Sequence, residues 1–241
     1  DHALFPHRRV DQNIAFGLTH LDRSARARRV DELLELVRLP GVAKRYPHEL
    51  SGGEQQRIAL ARALAPDPAV VLLDEPFASL DPSLRDEVRT DVIEALHLRH
   101  AAAVLVTHDR EEALALGDRV AVMSAGRILQ IDRPDQVYER PSDRFVATFL
   151  GEASFLPDPD QPGVAMMARP HDLTIAAHDG GSDLVTARRY LGAAWRYTVR
   201  RSDGSIVDVD LNGGPTTIPL GVGDACTVVV DAGHPLHRLP D

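Results

Sequence analysis

The chain has 241 residues, 44% hydrophobic and 26% charged, a composition that supports a folded globular protein and excludes a disordered or fibrous one. A formal net charge of −9 argues against a nucleic-acid binder that neutralises many phosphates, and the single cysteine, Cys226, rules out an internal disulfide and reads as a packed thiol. The longest apolar runs, 70–73 and 101–106, are far too short to span a bilayer, and no signal-peptide pattern opens the chain, so membrane association is expected to be peripheral.

The first residues, DHALFPHRRV, lack an initiator methionine and an evident first element, and read as a truncation. From Arg23 to Leu39, the spacing of Val30, Leu33, Leu34 and Val37 predicts an amphipathic helix, stopped by Pro40 and Gly41. Ser51 and Glu54 form the S-x-x-E pattern of a capping box ahead of an apolar face, Ile58, Ala61, Leu64 and Ala65. The run Val70 to Leu73 predicts a buried strand of a parallel sheet, ending at Asp74 and Glu75. A helix from Ser83 to about Arg99 leads to a second buried strand, Val104 to Thr107, which ends at His108 and Asp109. Open parallel sheets bind ligands beyond the carboxyl ends of their strands, so Asp74, Glu75 and His108 can converge on one site.

A third strand, Arg119 to Met123, turns at Ala125-Gly126 into Ile128 to Ile131, and Pro134 to Leu150 reads as helical. From Gly151 onward the composition shifts to Gly, Pro and short alternating segments: Val185 to Leu191, Trp195 to Arg200, Ile206 to Leu211 and Cys226 to Val230. Asp203-Gly204 between two of them is a hairpin signal, and a small β-barrel or sandwich is expected.

Four segments carry chemistry. In LSGGEQQR, Leu50 to Arg57, a Ser-Gly-Gly turn before a helix offers backbone N–H groups, a hydroxyl and a helix N-terminus to phosphate oxygens. Capping alone explains Ser51 and Glu54, but not the adjacent Gly52 and Gly53, whose conformational freedom is costly. In VVLLDEP, Val70 to Pro76, two carboxylates follow a strand: one can support magnesium while the other orients or deprotonates water, although an acidic turn ending a strand is equally common. FASLDP, Phe77 to Pro82, reads by itself as a helix entry capped by Asp81 or Ser79. VTHD places His108 after a strand, where a lone histidine is more often structural than catalytic.

In this order the four segments resemble the nucleotide-binding subunits of ABC transporters: signature sequence, Walker B segment, D-loop and switch histidine, over roughly residues 1 to 150. The resemblance implies an α/β, ABC-type P-loop ATPase domain, lacking its N-terminal part, with a helical subdomain at about 1–62 and a Walker B to switch-histidine region at about 66–125. It implies that Asp74 supports Mg2+, that Glu75 is the catalytic base or water-orienting carboxylate, and that His108 senses the γ-phosphate. Ser51, Gly52, Gly53 and Glu54 would meet ATP held by the opposite subunit of a homodimer, and Asp81 and its neighbours would signal across that dimer. LFPH and NIAFGL look like the segment after the family's Q-loop glutamine, in the helical region that touches the transmembrane partner.

Residues 151–241 resemble the small all-β C-terminal domain, of oligonucleotide-binding-like (TOBE-like) fold, found on importers of ions, sugars and polyamines, with ARPHDL, Ala168 to Leu173, as its entry strand. RFVATFLGEASFLP, Arg144 to Pro157, and RYLGAAWRYTV, Arg189 to Val199, look most like ferric-iron importer subunits; polyamine, sulfate, sugar and phosphonate importers are the alternatives. The implied partners are transmembrane permease subunits and a solute-binding protein at the cytoplasmic face of the inner membrane, with no nucleic acid.

Two rivals come from other classes. ATPases of chromosome maintenance share the signature and Walker B pair but carry long heptad segments, and none interrupts this stretch. A non-catalytic regulatory or degenerate subunit gains from a departure: no G-x-x-x-x-G-K-[ST] loop occurs, and Lys44, the only lysine, lacks the neighbours to make one. Retained Glu75 and His108 stand against it. The chain of 241 residues by itself is accordingly expected neither to bind ATP tightly nor to hydrolyse it. Magnesium-dependent turnover typical of the family, from a purified sample of these residues, would contradict this.

Overall fold

A computed structural model describes residues 4–78, 80–98, 101–161, 163–177, 180–212, 220–231, 233 and 236–239. The chain divides into two compact units, Asp1–Leu116 and Gly117–Asp241, so packing separates them earlier than the change of composition at Gly151.

In the first unit, α1 (Val10–Ile14) precedes α2 (Arg23–Leu36), whose N-terminus is capped by Asp22 accepting from the Ala25 N–H at 2.8 Å. α2 ends three residues before the expected stop. Arg38 takes a left-handed φ of 56°, and the Leu39 N–H reaches the Leu34 carbonyl at 2.8 Å, which closes the helix before Pro40. After α3 (Gly52–Leu64) come β1 (Val70–Asp74), α4 (Pro82–Leu98), β2 (Ala102–Val106) and α5 (Arg110–Leu116). The apolar faces of α1 to α4 meet in one core around Ile14, Leu33, Ile58, Val88 and Val92.

β1 and β2 pair in parallel, from Val70 opposite Ala102 to Asp74 opposite Val106, which is the expected strand, helix, strand order. The expectation of two buried strands is corrected. β1 alternates: Val71 and Leu73 are buried while Val70 and Leu72 are 56% and 75% exposed, and Val104 and Val106 of β2 are also open. Only one face of this pair is covered among the described residues, and the pleat sends successive side chains to opposite faces.

In the second unit, β3 (Val120–Ser124) and β4 (Arg127–Asp132) form a hairpin whose turn residues Ala125 and Gly126 both have positive φ, as a two-residue turn of this hand requires. The expected single helical stretch from Pro134 to Leu150 is two helices, α6 (Pro134–Glu139) and α7 (Arg144–Leu150). Pro141 lacks the N–H a continuous helix needs, and Asp143 restarts the helix by accepting from the Val146 N–H at 2.8 Å.

The remaining strands are antiparallel. β5 (Ser154–Pro157), β6 (Ala165–Ala168) and β12 (His237–Leu239) make one sheet in the order β12-β6-β5. β7 (Leu173–Ala177), β8 (Asp183–Tyr190), β9 (Ala194–Arg200), β10 (Ile206–Asn212) and β11 (Ala225–Val230) make the other, in the order β10-β9-β8-β11-β7. Its edge strands β10 and β7 approach each other, so it curls toward a barrel around Val185, Tyr197, Val199, Val209 and the buried thiol of Cys226. Asp203-Gly204 forms the expected β9–β10 hairpin, with Gly204 at φ 85°.

ARPHDL is not an entry strand. Ala168 ends β6, Pro170–Asp172 is a 3-10 turn, and Leu173 begins β7, because Pro170 cannot donate to a ladder and the Asp172 carboxylate takes the Arg169 N–H at 2.7 Å. The Arg169 side chain is buried beside three carbonyls, donating to Ala147 at 2.8 Å, Glu152 at 3.1 Å and Tyr138 at 2.8 Å, with its guanidinium over the Tyr138 ring. It ties α6 and α7 to the β-structure of the same unit. Arg169→Ala should therefore cost about 2–4 kcal/mol in urea denaturation of the chain, and Arg169→Lys should not restore it, since one ammonium cannot serve a planar fork of three acceptors. A loss below about 0.5 kcal/mol for either variant would contradict this role.

Candidate functional site

The site starts where β1 ends. Glu75, the residue after the strand, has φ 45°, a left-handed conformation that costs a side-chain-bearing residue of order 1 kcal/mol or more and persists only where neighbours hold it. Three hydrogen bonds do so. The Glu75 N–H donates to the Val106 carbonyl of β2 at 2.8 Å; its own carbonyl accepts from Gln56 Nε2 at 2.7 Å and from the Ala78 N–H at 3.3 Å. The side chain then leaves the sheet edge, and Oε1 lies 3.0 Å from His108 Nδ1. Both are open to solvent, at 48% and 75% of the side chain.

The hydrogen bond from Glu75, and secondarily its charge, raise the His108 pKa above the ordinary 6.5, because both favour imidazolium. The turn carrying His108 is fixed by its neighbours. Thr107 Oγ1 donates to the buried Glu112 at 2.8 Å and accepts from the Asp109 N–H at 2.9 Å, while Asp109 Oδ1 takes the N–H groups of Glu111 and Glu112. Asp74, the residue before Glu75, ends β1 and is exposed.

Ser51 and Glu54 make the expected capping box: Ser51 Oγ accepts from the Glu54 N–H at 3.3 Å, and Glu54 Oε2 accepts from the Ser51 N–H at 2.7 Å. These contacts hold the Glu54 carboxyl below the usual carboxylate range, the Ser51 backbone bond contributing most. The carboxylate of Glu54 is thus engaged on its own helix. Gly52 is different: a Cβ there would meet nothing within 4 Å, so no contact inside the chain requires glycine at this exposed position.

Asp81 caps α4. Its Oδ1 accepts from Ser83 N and Oγ at 2.9 and 2.6 Å, and these bonds, the hydroxyl's first, lower its pKa. The alternative cap, Ser79, lies outside the described residues. The structure therefore brings Glu75 and His108 into contact, keeps Asp74 next to Glu75 at the end of β1, and places Ser51 as the cap, and Gly52 and Gly53 as the first residues, of the helix that also carries Gln56.

Gln56 and Arg57 lie within the signature sequence, yet nothing in their spacing announces what they hold. Arg57 is buried, and its Nη1 donates to the carbonyls of Val37 and Arg38 at 3.1 and 3.2 Å, where a cation also complements the C-terminal end of α2.

The donor set fits magnesium held in its usual manner. Mg2+ takes one or two carboxylates and leaves the remaining positions to phosphate and water, whereas a protein cage needs a cluster of ligands. Asp74 offers an exposed carboxylate at the end of β1, next to Glu75 in the chain, a hard oxygen ligand of the kind magnesium takes, and no group of three or more His, Cys, Asp or Glu side chains clusters among the described residues.

The family model for ABC transporters matches residues 1–78, and that for the TOBE domain matches residues 166–236. The spermidine/putrescine import ATP-binding protein PotA 1 of Pseudomonas aeruginosa is 38% identical over 266 aligned positions, covering 95% of this chain and 72% of that protein. PotA of Pseudomonas fluorescens is 56% identical over 65% of this chain and 44% of its own length, and the sulfate/thiosulfate import ATP-binding protein CysA of Synechococcus elongatus is 42% identical over 86% and 64%.

Among solved structures, a dimeric ATP-binding cassette in a post-hydrolysis state, bound to ADP and Pi, superimposes with a TM-score of 0.52 and 28% identity, covering 55% of this chain and 60% of that one. The chain belongs to the ATP-binding subunits of import-type ABC transporters that carry a C-terminal TOBE domain. It spans about half to three-quarters of the length of these curated relatives.

The raised His108 pKa means that the folded state holds the histidine's proton more tightly than the unfolded state does. Its stabilising contribution is complete below the unfolded value and disappears as pH rises through the folded one. In an NMR titration His108 should titrate above an ordinary histidine, and Glu75→Gln should bring it down. An ordinary value indifferent to Glu75→Gln would show that the two side chains do not interact.

Proposed function

We propose that the full-length protein containing this chain is the ATP-hydrolysing subunit of a membrane importer, coupling ATP binding and hydrolysis to solute uptake. The observation that carries this reading is the Glu75–His108 contact of 3.0 Å, beyond the carboxyl ends of two parallel strands, on a backbone held in a strained conformation. Strain of this kind collects at functional positions.

Phosphoryl transfer is catalysed mainly by positioning and by stabilising charge. Glu75 is suited to accept a hydrogen bond from the attacking water and, as a carboxylate, to receive its proton. His108, protonated more readily because of Glu75, would have its remaining ring nitrogen available to the transferring phosphate. Asp74 would hold Mg2+, which when bound neutralises charge on the phosphate oxygens. Ser51, Gly52 and Gly53 would offer a hydroxyl and helix N-terminal N–H groups to ATP on a second copy of the subunit, and Asp81 would lie at that dimer contact. The dimeric state of the related cassette supports this arrangement.

The partners are permease subunits and a solute-binding protein, with this subunit peripheral at the cytoplasmic face of the membrane. No helix among the described residues is long and apolar enough to cross one. Polyamine is the solute to test first, because the relative aligned along nearly the whole chain is a spermidine/putrescine import protein, while sulfate follows from the second group of relatives. The iron reading of residues 144–157 and 189–199 gains no support from these names.

In the full-length protein, Glu75→Gln should lower kcat for ATP at least about 100-fold while leaving ATP binding intact, since it removes a group needed only in the chemical step. Turnover within about threefold of wild type would exclude Glu75 from catalysis and favour a non-catalytic subunit.

A further inference from the structure

We infer that Gln56 is a positioning residue for Glu75, holding the catalytic carboxylate in register with His108 from within the signature helix. This rests on the proposed ATPase activity.

Glu75 is a non-glycine residue in the left-handed region, so the direction of its side chain depends on the two peptide groups that flank it. The preceding one is fixed by the Val106 carbonyl, two residues before His108 on the same run of chain. The following peptide joins Glu75 to the buried Pro76, whose ring already restricts the backbone there, and its carbonyl is left on the open side of the turn. The following peptide is held at its carbonyl by Gln56 Nε2 at 2.7 Å, much shorter than the 3.3 Å to the Ala78 N–H. Gln56 thus supplies the stronger of the two contacts on the open side of the turn.

The holder is itself fixed. Gln56 lies on α3, and the next residue, Arg57, is buried against the carbonyls of Val37 and Arg38. Adjacent side chains on one helix project about 100° apart, so Arg57 anchors α3 on α2 while Gln56 points to the turn after β1. One turn before them the N-terminus of α3 is closed by the Ser51–Glu54 capping box, which makes its first turn stiff. The same short rigid element therefore presents the N–H groups of Gly52 and Gly53 at its N-terminus and, about 6 Å along its axis, the donor that holds Glu75. A hydrogen bond to a backbone carbonyl needs only a donor of the right reach, which makes the inference separable from the packing of the side chain.

The test uses the full-length protein with three variants. Gln56→Met keeps the length and removes the donor; Gln56→Glu keeps the shape and turns an acceptor toward the carbonyl; Gln56→Lys keeps a donor at similar reach. Steady-state ATP hydrolysis should show kcat reduced about tenfold or more in the first two, with KM for ATP within about twofold of wild type, and substantial recovery in Gln56→Lys. Variants that all match wild type would overturn the inference. So would a loss in which kcat, KM and thermal stability change together with no recovery in Gln56→Lys, which marks a packing contact. A wild-type protein that does not hydrolyse ATP would overturn the underlying activity and the inference with it, a result distinct from active wild type with indifferent variants.

Discussion

The left-handed backbone of Glu75 is the constraint on which the candidate site depends. A side-chain-bearing residue adopts φ 45° only when its surroundings enforce it, and here they are a parallel strand on one side and a helix side chain on the other. The parallel pairing of β1 with β2 is what brings the Val106 carbonyl to the Glu75 N–H, and it simultaneously delivers His108 to the same edge. The 3.0 Å contact between the two side chains is thus a consequence of sheet register. Proton affinity follows geometry, because the His108 shift has Glu75 as its first cause.

The helix that begins at Ser51 serves a second purpose in this arrangement. Its N-terminal turn is closed internally by Glu54, which leaves Gly52 without a packing reason to be glycine, and its second turn is bolted to α2 by Arg57. A helix whose first two turns are held in this way keeps its N-terminal half in place. That rigidity suits an element whose exposed N–H groups would contact phosphate while a neighbouring side chain steadies the carboxylate.

Much of this was legible in the sequence, and the legible part has a common character. Capping boxes, apolar periodicity, two-residue turns and strand-end carboxylates are local, so Ser51, Glu54, Ala125-Gly126 and the alternation of the C-terminal strands could be read residue by residue. The order of the four nucleotide-binding segments carried the fold class. What could not be read was a side chain reaching a distant backbone carbonyl: Gln56 to Glu75, Arg57 to Val37, Arg169 to Tyr138. Such bonds leave no periodic trace, because any residue exposes a carbonyl and only the fold decides which one is unpaired nearby. The same limit explains ARPHDL, where Arg169 and Asp172 build a turn that composition presents as the start of a strand. It also explains β1, whose apolar run is read as buried on both faces although only Val71 and Leu73 are covered among the described residues.

The most direct test is a structure of the full-length protein carrying Glu75→Gln, solved with magnesium and ATP. The γ-phosphate should lie against residue 75 and His108, the metal against Asp74, and the backbone of Ser51 to Gly53 from a second copy against the phosphates. Nucleotide bound remote from residue 75 and His108, or phosphates contacted by neither copy's signature helix, would contradict the assignment of these residues to ATP hydrolysis.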